Sequence, residues 1–104
     1  MTDLVIIMGV AGSGKSSIAE ALAAAGGWPF IEADDHHSAA NKQKMASGKP
    51  LTDADRADWV GSLCRAVSAR PEARVILACS ALTPYVQDGL RAGAGRACRF
   101  PPSV

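Results

Sequence analysis

The first apolar stretch of the chain, Leu4-Val5-Ile6-Ile7-Met8, is rich in β-branched residues and does not alternate with polar ones. A strand with one wet face would alternate, so an unbroken run of this length points to a strand covered on both sides, as in a parallel sheet. Gly9 to Gly14 follows as a glycine-punctuated loop. Beyond it Ile18, Ala21, Leu22 and Ala25 recur at helical spacing until Gly26-Gly27 offers a left-handed stop. Pro29-Phe30-Ile31 reads as a second short strand leading into the polar segment Glu32 to Ser38. Ala39 to Ser47 has helical composition and ends at Gly48-Lys49-Pro50.

Thr52 is placed to cap the next helix, with Asp53 and Asp55 in a first turn where the helix dipole favours negative charge. Trp59, Val60, Leu63 and Val67 mark one face of that helix, which stops before Pro71. Val75-Ile76-Leu77-Ala78 is a third fully apolar strand, and Pro84 suits the first turn of a last helix ending near Ala92. Strands alternating with helices imply right-handed βαβ units, hence an α/β fold with a parallel sheet. Residues 93–104 have no periodicity and contain two adjacent prolines, so they are expected to form an irregular, poorly ordered tail behind a domain over residues 1–92.

Composition narrows this picture. A chain of 104 residues has room for one small domain. Hydrophobic residues make up 48%, but 20 of them are Ala, so the core is expected to be thin. Three parallel strands would leave an unpaired edge, and with so little core to offset it the chain is expected to self-associate, most simply as a homodimer. Eleven Lys and Arg against ten Asp and Glu, without runs of one sign, give no basic stripe for a nucleic acid partner. The run from Leu4 to Val10 is far shorter than the roughly 20 residues that span a bilayer. It is also preceded by Asp3 and broken by Gly-Ser-Gly-Lys, unlike a signal peptide, so a cytoplasmic chain with no membrane partner is expected. Cys64, Cys79 and Cys98 are odd in number and lack C-x-x-C spacing, which suggests reduced thiols rather than a disulfide framework or a zinc site.

The candidate chemistry begins at Gly9-Val10-Ala11-Gly12-Ser13-Gly14-Lys15-Ser16. It fits G-x-x-x-x-G-K-[ST] at every fixed position and lies between an expected strand and an expected helix. A triphosphate carries several negative charges. Backbone N–H groups in a tight nest can surround it, provided no Cβ blocks the approach. The glycines give that clearance, and the helix beginning near Gly14 aims its positive end at the phosphates. Lys15 would bridge β and γ oxygens, Ser16 would offer its hydroxyl to Mg²⁺, and Ser17 would add an amide to the α-phosphate or stand as an ordinary surface serine. ATP and Mg²⁺ are therefore the expected cofactors.

A phosphate loop alone fits ATPases, GTPases and small-molecule kinases. In a Walker B pattern the apolar strand ends in Asp, whereas Val75 to Ala78 runs into Cys79-Ser80, which weakens a motor-ATPase reading. Acids appear instead after the second strand, at Glu32, Asp34 and Asp35, where the carboxyl end of a strand would face a ligand crevice.

The phosphate loop, Asp34-Asp35-His36-His37 with Asn41, the stretch Lys44 to Arg56, Trp59 and Cys79-Ser80-Ala81-Leu82 together resemble the gluconokinase family. These are small P-loop sugar-acid kinases related in fold to shikimate and nucleoside monophosphate kinases, with a three-layer α/β/α arrangement. The similarity covers roughly residues 4 to 92. It implies transfer of the ATP γ-phosphoryl group to the 6-hydroxyl of D-gluconate. By the same resemblance Lys15, Asp34 and Arg56 are catalytic, with Asp34 orienting or deprotonating the acceptor hydroxyl. His37, Arg56 and Ser80 join Asp34 in holding the sugar acid.

Each of these also has a plain structural reading. Asp34 could cap a helix, His37 could be a solvated loop histidine, as His36 is expected to be, and Arg56 could pair with Asp53 or Asp55 on a helix surface. Trp59 reads as core, Lys44 as surface and Cys79 as simply buried. Ala33, Ser38 and Thr83-Pro84-Tyr85 depart from the family's glycine, proline and basic stretch. Family members also continue past this length with further strands and a lid. The resemblance thus implies a domain incomplete at its carboxyl end, and leaves open nucleotide binding without turnover or a shikimate-kinase-like activity.

Overall fold

The computed structural model describes residues 2–8, 14–79 and 83–100, with Lys15 and Ser16 described in their backbone only. Strand β1 (Asp3–Met8) lies in the middle of a sheet with β2 (Phe30–Glu32), β3 (Arg74–Cys79) and β4 (Ala97–Arg99), in the order β2-β3-β1-β4. Every pairing is parallel: Ile6 sits opposite Leu77, Ile31 also opposite Leu77, and Asp3 opposite Ala97. The helices are α1 (Lys15–Gly26), α2 (Ala39–Ala46), α3 (Asp53–Ser68) and α4 (Pro84–Gly93), with one 3₁₀ turn at Ala33–His36 after β2.

Local chemistry sets these boundaries. Gly27, at φ 69°, ends α1 and returns its N–H to the carbonyls of Ala23 and Ala24. Ser38 caps α2, accepting from the Asn41 amide at 3.1 Å, so the residue standing in place of the family's proline has a structural use. Thr52 and Asp55 close a reciprocal capping box on α3, and Thr83 caps α4 ahead of Pro84.

The two faces of the sheet are packed differently. Leu4, Ile6, Val75 and Leu77 meet Trp59, Leu63 and Val67 of α3 and Val86 and Leu90 of α4 in the larger core. Val5, Ile7, Ile76 and Ala78 meet Ala19 and Ala23 of α1 in a smaller one, so the alternation of a strand buried on both faces is realised in β1. The result is helix, sheet, helix. Ile18 and Leu22 remain exposed on the outer side of α1. Among the described residues no helix is long and apolar enough to cross a membrane.

One expectation is corrected. Residues 93–104 are not irregular throughout, because Ala97–Arg99 form β4 on the free side of β1. Among the described residues the sheet has four strands rather than three. Electrostatics holds this edge more than apolar burial does. Asp3, only 6% exposed, accepts from Arg74 Nε and Nη2 at 2.9 Å each and from Arg99 Nε at 3.0 Å. Arg96 donates to the carbonyls of Glu72 (2.7 Å) and Arg70 (2.6 Å), tying the approach to β4 onto the approach to β3. The Arg74 hydrogen bonds hold the Asp3 carboxyl below its ordinary value, against an opposing push from burial, with Arg99 helping.

Candidate functional site

Because β1, β2 and β3 are parallel, the segments leaving their carboxyl ends emerge along one edge of the sheet, the position where open α/β folds take their ligands. Segment 9–14 follows β1, the 3₁₀ turn follows β2, and the segment from residue 80 follows β3.

Gly14, at φ 83°, turns the chain into α1, and that helix start carries no side-chain cap and no acid in its first turn. By contrast α2, α3 and α4 are capped by Ser38, Thr52 and Thr83. An uncapped helix start leaves its first N–H groups and the positive end of the dipole available to an anion, so this backbone fits the polyphosphate expected there. Ser17 is exposed on α1. Gly9, Val10, Ala11, Gly12, Ser13 and Ser80 lie outside the described residues, as do the side chains of Lys15 and Ser16. Among the described residues no group of three or more His, Cys, Asp or Glu gathers as a metal site. Mg²⁺ that arrives with phosphates needs few protein ligands.

Beside the 3₁₀ turn the structure builds a platform. Trp59, 1% exposed, donates from Nε1 to the carbonyl of Ala33 at 2.7 Å, which fixes the indole against the start of the turn. His37 stacks on it with ring centroids 4.2 Å apart and planes 17° from parallel. His37 is buried rather than a solvated loop residue, whereas His36 is half-buried. Burial pushes the His37 pKa down, Asp34 pulls it back up, and the cations Lys42 and Arg56 push it further down. At neutral pH the imidazole is therefore uncharged.

Asp34 and Arg56 thus both lie within electrostatic reach of His37. Asp34 is exposed in the first turn of the 3₁₀ segment. Arg56 pairs through Nη1 with Asp53 at 3.3 Å, as its plain reading has it, yet its Nε is buried with no hydrogen-bond partner among the described residues. Trp59 is core, and it also supports His37. Lys44 is held by Asp55 at 2.6 Å and ties α2 to α3. Cys79 is buried.

Asn41 was given no role by its sequence. It is 5% exposed, and its side chain donates to the Asp55 carbonyl at 2.8 Å and approaches His37 Nδ1 at 3.5 Å. Its sequence signals are its place in the family resemblance and a spacing of four from His37. An open concavity of about 480 Å³ lies on the other side of Asn41, lined also by Lys44, Lys49 and Asp55, and Asp34, His37 and Arg56 do not line it.

Known proteins resemble this chain over most of its length. The family described as AAA domain matches residues 4–101. A protein of Rattus norvegicus described as "Probable gluconokinase" is 45% identical over 94 residues, covering 86% of this chain and 50% of the relative. The crystal structure of a gluconokinase from Sinorhizobium meliloti 1021 superposes with a TM-score of 0.79 at 41% identity, over 95% of this chain and 55% of that one. An unliganded sugar kinase from Janibacter sp. HTCC2649 gives 0.86 at 42%, over 96% and 58%. The chain spans about half the length of the curated relatives it matches. By the match over residues 4–101 the chain belongs to the AAA domain family, and its likeness within that family is to the gluconokinases.

Proposed function

We propose that this chain carries the nucleotide and acceptor sites of a gluconokinase, which transfers the γ-phosphoryl group of ATP to the 6-hydroxyl of D-gluconate with Mg²⁺ as the metal. One observation carries the reading. The uncapped, acid-free start of α1 and the 3₁₀ turn that bears Asp34 and ends at His37 belong to segments leaving the same edge of the sheet, with Arg56 of α3 acting on His37, so a polyphosphate at one would present its end toward an acceptor at the other.

Phosphoryl transfer asks mainly for positioning and for stabilisation of charge on the transferred oxygens. When bound, Mg²⁺ would neutralise phosphate charge, with Ser16 as its protein ligand. Lys15 follows Gly14 at the helix start, and its ammonium would take the β and γ oxygens. Gly9 to Ser17 would supply backbone amides. Asp34, exposed at the 3₁₀ turn, would accept the hydroxyl proton as the bond to phosphorus forms. Arg56, with Nε unmatched, would hold the carboxylate of the sugar acid or the growing charge. Ser80 would contribute from the segment after β3.

The test is ADP release by the whole chain with gluconate, with shikimate and with no acceptor. Gluconate-dependent release that disappears in Lys15→Ala and falls at least about a hundredfold in Asp34→Asn, the range expected for a general base, supports the reading. Nucleotide binding without acceptor-dependent release supports a binding role without turnover, and release with shikimate alone moves the assignment to a different acceptor.

A further inference from the structure

Asn41 sits one helical turn beyond His37 and is almost wholly buried. The two ends of an amide side chain usually cannot be told apart by shape, but here chemistry tells them apart. The Asp55 carbonyl oxygen 2.8 Å away can only accept, so the amide end beside it must be the nitrogen. That nitrogen carries a second hydrogen, and its other neighbour is His37 Nδ1 at 3.5 Å. A ring nitrogen facing an N–H has to present its lone pair, because two hydrogens would otherwise meet. In a neutral imidazole a lone pair on Nδ1 puts the proton on Nε2.

A half-turn of the ring would keep it stacked on Trp59 but would replace Nδ1 by a ring carbon beside the Asn41 amide, losing the hydrogen bond, so the contact with Asn41 is what sets the ring's orientation. The charged groups facing the ring come from each neighbouring element: Asp34 from the 3₁₀ turn, Lys42 from α2 and Arg56 from α3. Asp55 of α3 contributes its backbone carbonyl to the Asn41 amide, while its carboxylate is taken by Lys44.

We infer that Asn41 is a positioning residue that locks His37 in the Nε2–H tautomer, so that the imidazole meets the acceptor substrate as a hydrogen-bond donor and not as a base. The recognised feature is then an oxygen lone pair of a polyhydroxy acid, either hydroxyl or carboxylate, and removal of the hydroxyl proton is left to Asp34. The statement about the substrate rests on the gluconokinase reading; the tautomer lock does not.

The chain has only two histidines, so ¹⁵N-histidine labelling with long-range ¹H–¹⁵N correlation reads the ring directly, and His36→Gln assigns the signals. His37 in the unaltered chain is expected to show unprotonated Nδ1 and protonated Nε2 with no tautomer mixture. Asn41→Ala is expected to produce a mixture. Asn41→Asp, which replaces the donor with an acceptor, is expected to move the proton to Nδ1 and raise the titration midpoint of the ring. A residue that merely filled space would not reverse the tautomer. The lock is overturned by Nδ1–H in the unaltered chain, which decides the matter even if neither variant folds. It is equally overturned by folded variants whose ring nitrogens match the parent. Calorimetric titration with gluconate separates the two claims. A loss of about tenfold in affinity in Asn41→Asp above the titration midpoint of the ring, the scale of one hydrogen bond, with only a small loss in Asn41→Ala, where the donor tautomer is still populated, supports the donor role. An intact lock with no gluconate binding at all removes the proposed substrate and leaves the lock standing.

Discussion

Lys44 Nζ and the Asp55 carboxylate meet at 2.6 Å across the junction of α2 and α3, and the same carboxylate accepts from the Thr52 N–H at 2.9 Å. Lys44 first, and then the Thr52 backbone, hold the Asp55 carboxyl down at about 2. An ordinary Asp titrates near 3.9, so on acidification the unfolded chain takes up this proton before the folded one does. The stabilisation is whole above about pH 5 and fades as the pH falls through 4 toward 2. Thermal unfolding of the parent and of Asp55→Asn should therefore differ most at neutral pH and converge toward pH 2. A gap that persists unchanged at pH 2 would show that the tie is not electrostatic.

His37 titrates with the same sign. Its folded-state pKa lies below the ordinary value near 6.5, so the unfolded chain binds the proton first and stability declines as the pH drops below about 6.5. In His37→Gln the slope of stability against pH between about 6.5 and 5 should flatten. Chemical denaturation at half-unit pH intervals measures it, and an unchanged slope contradicts the burial argument.

Trp59→Phe keeps a ring under His37 but leaves the Ala33 carbonyl without its donor. A buried acceptor stranded in this way costs about 1–3 kcal/mol. The expected outcome is that loss in denaturant unfolding, together with weaker gluconate binding and unaltered nucleotide binding. Equal loss for both ligands would place the damage in the fold as a whole.

A methyl group at Gly89 would lie 2.6 Å from Val60 Cγ1, where α4 crosses α3. Helix propensity favours Ala over Gly by about 1 kcal/mol, whereas overpacking of a filled contact costs about 1–3 kcal/mol, so the clash wins. Gly89→Ala should destabilise, and the Val60→Ala, Gly89→Ala double variant should be more stable than the two single effects summed. Strict additivity would mean that the helices part freely at this point.

Asp3→Asn removes the charge to which Arg74 and Arg99 are fastened. A fully buried pair broken this way loses about 3–5 kcal/mol. Both guanidinium groups here keep considerable solvent contact, which reduces the expected loss to about 1–2 kcal/mol. Hydrogen exchange should localise the effect, with amides of Ala97 to Arg99 exchanging much faster while β3 stays protected. Uniform acceleration across the sheet would refute a local clamp.

How far the fold could be read in advance depended on what held each element. Leu4 to Met8, Val75 to Ala78 and the Trp59, Val60, Leu63, Val67 face are stabilised by apolar burial, which leaves a periodicity in the chain. Caps at Thr52, Thr83 and Gly27 leave equally local marks. β4 leaves none, because its three residues are mostly exposed and its partners, Asp3 and Glu72, are distant in sequence. The site divides in the same way. Asp34, His37 and Arg56 were singled out by motif resemblance, and the pairing of Arg56 with Asp53 by helical spacing. The role of Asn41 depends on a carbonyl fourteen residues away, and no single-sequence pattern carries that distance.

The position of β1 between β3 and β4 has a temporal meaning. The strand made early on the ribosome is hydrogen-bonded on one side by residues 74–79 and on the other by residues 97–99, so neither neighbour exists when it emerges. Until they do, an apolar ribbon with two open edges has to be tolerated, and long-separated pairings of this kind are slow to close. Asp3, a charge at the head of that ribbon, is then both the last bolt of the finished sheet and the polar mark that accompanies the ribbon while it waits.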